Sequence, residues 1–233
     1  MWPFDLPARE ALRLPGETAI VWATFDAAWY RAQYRDAVAS LDDPSEAALL
    51  RFYFDIGQGL GHSPNRYFDE KWHLGAYPNI AETVANGLFS SAFDAYCRTG
   101  NQDRSPHWLF DELEYRRRHP DLTNAVLVDA EIANGYDHYL RHGNHEGRIG
   151  HPLFDPLYYL EHLDPADRAA AVAVGPFQHY LTGLEGDDPA LETSRYFDGS
   201  WYAGQYPIAG NGTYRSPLEH YLRNDTPTAF DPD

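Results

Sequence analysis

The stretch Phe68-Asp69-Glu70-Lys71-Trp72-His73 decides the fold. A Phe precedes Asp, and further rings follow four and five positions after the Phe. The same step returns at Phe25-Asp26, Phe110-Asp111, Phe154-Asp155 and Phe197-Asp198, and begins again at Phe230-Asp231. The gaps are 43, 42, 44, 43 and 33 residues. A period near forty that persists along the chain marks a repeat architecture.

Each part of the phrase has a mechanical reading. Asp is a strong helix N-cap because its carboxylate accepts from the unpaired N–H groups of the first turn. Pro156 and Pro232 directly follow their Asp, and Pro is favoured at the first helical position. Phe then occupies the position before the cap. Tyr30, His73, Tyr115, Tyr159 and Tyr202 occupy the fourth helical position, so each can close a hydrophobic staple on its Phe. One turn on, Tyr34, Tyr77, His119, Leu163 and Tyr206 share that face. In the third copy Glu114 lies three residues after Asp111, which predicts a capping box. Tyr77-Pro78, His119-Pro120 and Tyr206-Pro207 end the opening helices after two or three turns. Helices this short depend on packing against neighbours.

The rest of each copy is helical as well. Ser45 is a predicted cap for a helix through Phe54, closed by a loop at Gly57, Gly59 and Gly61. Asn79 starts a helix to Asn86-Gly87, and a further helix carries Phe89, Phe93 and Tyr96 to Gly100. Leu122, Val126 and Leu127 mark another helix that breaks at Asn134-Gly135. Ala169–Val174 marks the fourth copy, and Gly210-Asn211-Gly212 shortens the fifth. Apolar spacing is helical throughout, without strand alternation. The predicted fold is all-α: an array of about five units, each of roughly 43 residues and two or three short helices. Residues 1–23 form a predicted N-terminal cap segment, including a helical turn or two over Ala8–Leu14. Residues 24–229 form the helical-repeat domain, and 230–233 open a further, truncated repeat, which predicts a longer natural chain.

Composition narrows the function. The 233 residues carry a formal net charge of −17, which opposes binding to nucleic acid and to anionic membranes. No stretch reaches a membrane-spanning length. The start, Met1-Trp2-Pro3-Phe4-Asp5, lacks signal-peptide regions, so the expected location is cytoplasmic. The one cysteine, Cys97, excludes an intrachain disulfide and reads as a packed thiol.

The densest polar cluster is His138, His142, His145, Glu146 and His151. His138 and His142 have the four-residue spacing of a metal pair. However, His138 recurs at His179 and His220, each followed by Tyr-Leu, which assigns it to packing or hydrogen bonding and predicts no metal. Glu146-Gly147-Arg148 reads as a turn bridged by Arg. Trp29, Trp72, Trp108 and Trp201 can stack on sugar rings where exposed, but their positions predict core. No hydrolase, zinc-protease or phosphate-loop pattern is present, so neither catalytic residues nor a cofactor are predicted. The candidate binding residues are His138, His142, Glu146, Arg148, Trp72 and Trp201.

The composite phrase runs from Phe154 to Leu160, through His119-Pro120-Asp121 and Tyr136 to Gly143, to Glu146-Gly147-Arg148. It resembles the tandem helical repeats of bacterial surface-polysaccharide glycosyltransferases, the rhamnan-synthesis-type proteins. The resemblance covers nearly everything from Phe25 onward. It implies a non-catalytic interaction module, an attached or partner glycosyltransferase domain and a glycan acceptor or protein partner. Two alternatives are that the chain is itself a glycosyltransferase, or a secreted calcium-dependent adhesin-like module. The first requires β-α alternation and a nucleotide-sugar site.

Overall fold

The computed structural model describes residues 20–42, 45–99, 103–184, 192–206 and 214–224. The predicted Ala8–Leu14 turn, Gly100, Pro207, Gly210-Asn211-Gly212 and the Phe230-Asp231 phrase lie outside these residues. The described residues form fourteen short α-helices and no strand, with wider π turns at Tyr53–Gly57 and Tyr139–Gly143. The fold is all-α, and none of these helices is long and apolar enough to cross a membrane. The chain divides into two compact units. One comprises the described residues up to His107 with Asp121–Asp137, and the other Trp108–Pro120 with the described residues from His138 onward.

The opening helices are Ala27–Gln33, Glu70–Ala76, Glu112–Arg118, Pro156–His162 and Gly199–Gln205, each of seven residues. Asp26, Asp69, Asp111, Asp155 and Asp198 are their N-caps, with side chains accepting first-turn N–H groups at 2.8–3.2 Å. Each cap is worth about 1 kcal/mol. The staples form at all five, with Phe-to-partner ring centroids 5.0–5.5 Å apart. The third corner of each ring cluster is Tyr53, Tyr96, Tyr139, Tyr180 or Tyr221, from a later helix of the same copy. It lies 5.3–5.6 Å from the Phe. It meets the staple residue edge-on at 5.4–5.9 Å, an arrangement that aromatic quadrupoles favour.

A second contact ties the start of a copy to its far end, where the lead-in to the next copy begins. The capping Asp turns its backbone N–H away from its own helix, to the carbonyl five residues before the next Asp. Asp26 donates to Pro64 and Asp69 to Pro106, both at 3.0 Å. In the other unit Asp111 donates to Gly150 at 3.0 Å and Asp155 to Thr193 at 2.9 Å. Tyr34 and Tyr77 reinforce the joint, their hydroxyls accepting the Ser63 and Ser105 N–H groups at 2.8 Å. This joint explains one departure from expectation. The capping box at Asp111 is only half made, because the Asp111 N–H is already committed to Gly150. Glu114 instead binds Arg117 and Arg118 at 2.6–2.7 Å.

Later helices borrow caps from distant residues, within a copy at Glu70 and from the preceding copy at Asn144. Glu70 is almost fully buried, and its carboxylate accepts the Ala92 and Phe93 N–H groups at 2.6 and 3.0 Å. Asn144 does the same for Phe177 N–H at 2.8 Å. Ser91 with Asp94, Asn134 with Asp137 and Ser216 with Glu219 add reciprocal local caps. Asn134 therefore starts a helix and does not break one. The preceding helix, Asn124–Asp129, ends in a Schellman turn with Glu131 left-handed at φ 54. Gly87 fills the matching place after Pro78–Ala85, at φ 74. Pro78 is the first residue of that helix, one before the expected Asn79, so the residue that stops one helix opens the next. Helix also continues past Phe54 through the π turn to Leu60, where a loop was expected from Gly57. Ile20–Ala23 forms a turn, and Trp22 packs on Tyr96 and Tyr136 at 5.7 and 5.0 Å, rings of the second and third copies.

Glu131→Gly is expected to raise stability by roughly 0.5–1 kcal/mol, because the left-handed strain of a side-chain residue exceeds the added chain entropy of glycine. Urea denaturation reads this directly. Glu70→Ala should cost roughly 1–3 kcal/mol by orphaning two buried N–H groups. Burial pushes the Glu70 carboxyl up to about 7, so the folded state holds its proton more tightly than the unfolded chain. This group's contribution to stability therefore grows as pH falls from about 7 to about 4.5, and Glu70→Gln should remove that slope from the urea midpoints.

Candidate functional site

The recurring histidines are committed to tyrosine hydroxyls. His138 is buried, and its Nδ1 shares a hydrogen bond with the Tyr115 hydroxyl at 2.9 Å. His179 pairs with Tyr159, and His220 with Tyr202, both at 2.8 Å. In the first copy Tyr30 finds the same partner at 2.8 Å in His62, which comes from the chain after the π turn. The second copy lacks the pair on both sides, with His73 for Tyr and Ala95 for His. There His73 Nδ1 bonds the Ser105 carbonyl at 2.9 Å. A carbonyl only accepts, so Nδ1 carries the proton, and burial holds the ring neutral with its pKa down to about 4.

The π turns bring glycine against these hydroxyls. A Cβ at Gly143 would meet the Tyr115 hydroxyl, and one at Gly57 the Tyr30 hydroxyl, both far inside contact distance. The Tyr–His bond thus sits where the helix backbone itself approaches. His142, four residues after His138, is exposed, with its ring centroid 5.6 Å from that of His138. Among the described residues no group of three or more His, Cys, Asp or Glu side chains can hold a metal ion.

Arg148 Nε donates to Glu146 Oε2 at 2.6 Å across left-handed Gly147, so these two predicted site residues do meet. The neighbouring groove, between Gly147, Leu157, Leu160 and Val172, holds about 50 Å³, room for a few waters. The tryptophans divide. Trp29 and Trp108 are buried as expected, and Trp72, in the first unit, is half-buried with its edge on Tyr77 at 6.2 Å. Trp201 is 51% exposed, which corrects its assignment to the core. Cys97 is buried, and burial raises its thiol pKa.

A larger feature of the second unit carried no signal in the phrase. A cleft of about 270 Å³ is lined by Arg118, Pro152, Asp155, Ser194, Arg195 and Tyr196. Arg118 ends an opening helix, Asp155 caps the next, and Ser194-Arg195-Tyr196 leads into the following Phe-Asp step. The backbone bond from Asp155 to Thr193 holds that lead-in in place. A hydrogen bond from the Tyr196 N–H to Ser194 Oγ at 3.2 Å shapes it further, leaving the Tyr196 ring 63% exposed. The Arg-Tyr-Phe-Asp run also occurs at Arg66–Asp69, and that repetition is the one sequence clue to this place.

Gly143→Ala should cost roughly 1–3 kcal/mol by overpacking. Tyr115→Phe removes the colliding hydroxyl, so the double variant should be more stable than the sum of the single losses predicts. Thermal unfolding of the four proteins closes the cycle, and strict additivity would refute the contact.

Comparison with protein-family models, with curated proteins and with solved structures finds no match for this chain.

Proposed function

We propose that the chain is a non-catalytic helical-repeat interaction module of a bacterial glycosyltransferase system that builds surface polysaccharide, acting in the cytoplasm and holding an acceptor glycan or a protein partner. The observation that supports this reading is the division of labour within the repeated phrase. The residues with chemical potential that recur, the Tyr and His of four copies, are tied to one another beside the ring clusters. The position three residues after the capping Asp differs from copy to copy in identity and in exposure: it holds Trp29, Trp72, Glu114, Tyr158 and Trp201, of which Trp29 is buried and Trp201 exposed. A constant interior with a varied exterior suits a scaffold that presents contacts. The repeat phrase itself, through its resemblance, supplies the glycosyltransferase context.

The test is a glycan array run beside a nucleotide-sugar turnover assay on the full 233-residue chain. Saturable glycan retention without consumption of any nucleotide sugar is the expected result. Transfer or hydrolysis of a nucleotide sugar by the purified chain would overturn the proposal.

A further inference from the structure

The geometry points to the Arg118–Arg195 cleft as a binding site for a single carboxylate-bearing sugar residue, a uronate, within a glycan. This rests on the reading of the chain as a glycan-holding module and names the class of sugar. The cleft's volume of about 270 Å³ lies near the lower end of the range of small-ligand pockets, and so suits one ring. Its walls carry opposite chemistries. Arg118 and Arg195 supply guanidinium forks that match a carboxylate geometrically. Tyr196 offers an exposed ring on which the C–H face of a pyranose can lie.

The charges favour a singly charged oxyanion. Arg118 donates through Nε to Glu114 at 2.6 Å, but Glu114 is shared with Arg117 and therefore leaves a surplus positive charge. Arg195 is exposed and makes no hydrogen bond or ion pair among the described residues. Two cations against the Asp155 carboxylate leave the lining net positive on a chain of charge −17. Such a spot focuses an anionic ligand. Asp155 is fixed in place because its Oδ1 accepts from Leu157 N–H and Tyr158 N–H at 3.0 and 3.2 Å. Its remaining oxygen is an acceptor for a sugar hydroxyl, and it repels a doubly charged phosphate more than a carboxylate. Glu192 stands nearby but accepts the Tyr158 hydroxyl at 3.2 Å.

The test is calorimetric titration of the intact chain with sodium glucuronate, with glucose and inorganic phosphate as parallel arms. Glucuronate should bind saturably with a dissociation constant of about 1 mM, and glucose and phosphate at least about tenfold more weakly. Arg195→Ala and Tyr196→Ala should each lose about tenfold with the helical circular dichroism unchanged, since both side chains are exposed. Arg195→Lys should recover only part of the loss because the fork is gone. Absence of saturable glucuronate binding overturns the proposal. So does phosphate binding as tight as glucuronate with Tyr196→Ala silent, which would mark a bare oxyanion spot. If glucuronate fails while the array retains another glycan, this site falls and the module reading stands. If glucuronate binds but the chain turns over a nucleotide sugar, the site stands and the module reading falls.

Discussion

The backbone N–H of the capping Asp is the constraint on which the repeated structure depends. At a helix start the carboxylate of the cap is the residue's useful group, and its own N–H points back along the chain. Here that N–H is directed to the lead-in of the next copy, in Asp26, Asp69, Asp111 and Asp155 alike. One residue therefore fixes a helix start with its side chain and the far end of its copy with its main chain. The Phe beside it is pinned by both. The ring cluster keeps nearly the same dimensions in all five places, although the sequences between the copies differ widely. Such a joint costs little to reuse, because each half is satisfied by a group that would otherwise be an unpaired donor or acceptor in a buried place.

The Tyr–His hydrogen bond shows how the same physical requirement is met by different residues. A hydroxyl drawn into the ring cluster needs a partner, since an unpaired buried hydroxyl is costly. In the later copies the partner comes from the last helix, as His138, His179 and His220. In the first it arrives as His62 from beyond a π turn. The second copy removes the hydroxyl and the histidine together, and His73 turns to a carbonyl. Paired loss of this kind is what a packing requirement produces. A ligand site would have no reason to couple His73 with Ala95.

Local chemistry is where the sequence was legible. Phe, Asp and Pro act within a turn of one another, so caps, staples and the short length of the opening helices follow from spacing alone. What lay beyond reach were the bonds between distant residues. Glu70 caps a helix that begins at Ala92, and nothing about Glu70 in its own phrase distinguishes it from a first-turn acid. The half-made capping box at Asp111 has the same cause, since the competing acceptor, Gly150, lies at the far end of the copy. Glu131 was missed because a left-handed position is normally advertised by glycine, and here the chain accepts the strain. Of the candidate site residues, Glu146 and Arg148 meet, whereas His138 is drawn into the core and away from His142's exposed surroundings. The cleft was not legible because, apart from Asp155, its residues belong to the ends and lead-ins of copies, where the repeated Arg-Tyr before Phe-Asp is the one clue.

That last point bears on where function can reside in a repeat of this kind. Side chains of the phrase are fixed by the ring cluster and the joint, so they are poorly free to change. The lead-in residues are held by their backbone, through the carbonyl that the Asp N–H binds, and their side chains divide between the core, as at Asn65, Trp108 and Leu109, and the surface, as at Arg195 and Tyr196. In the lead-in at Ser194-Arg195-Tyr196 the backbone is pinned on Thr193 by Asp155, while Arg195 and Tyr196 project outward. A rigid main chain carrying free side chains is the combination that recognition requires, because the main chain loses little entropy on binding while the side chains supply the chemistry. The structural bond that makes the repeat regular is thus the same bond that lets its surface differ from one copy to the next.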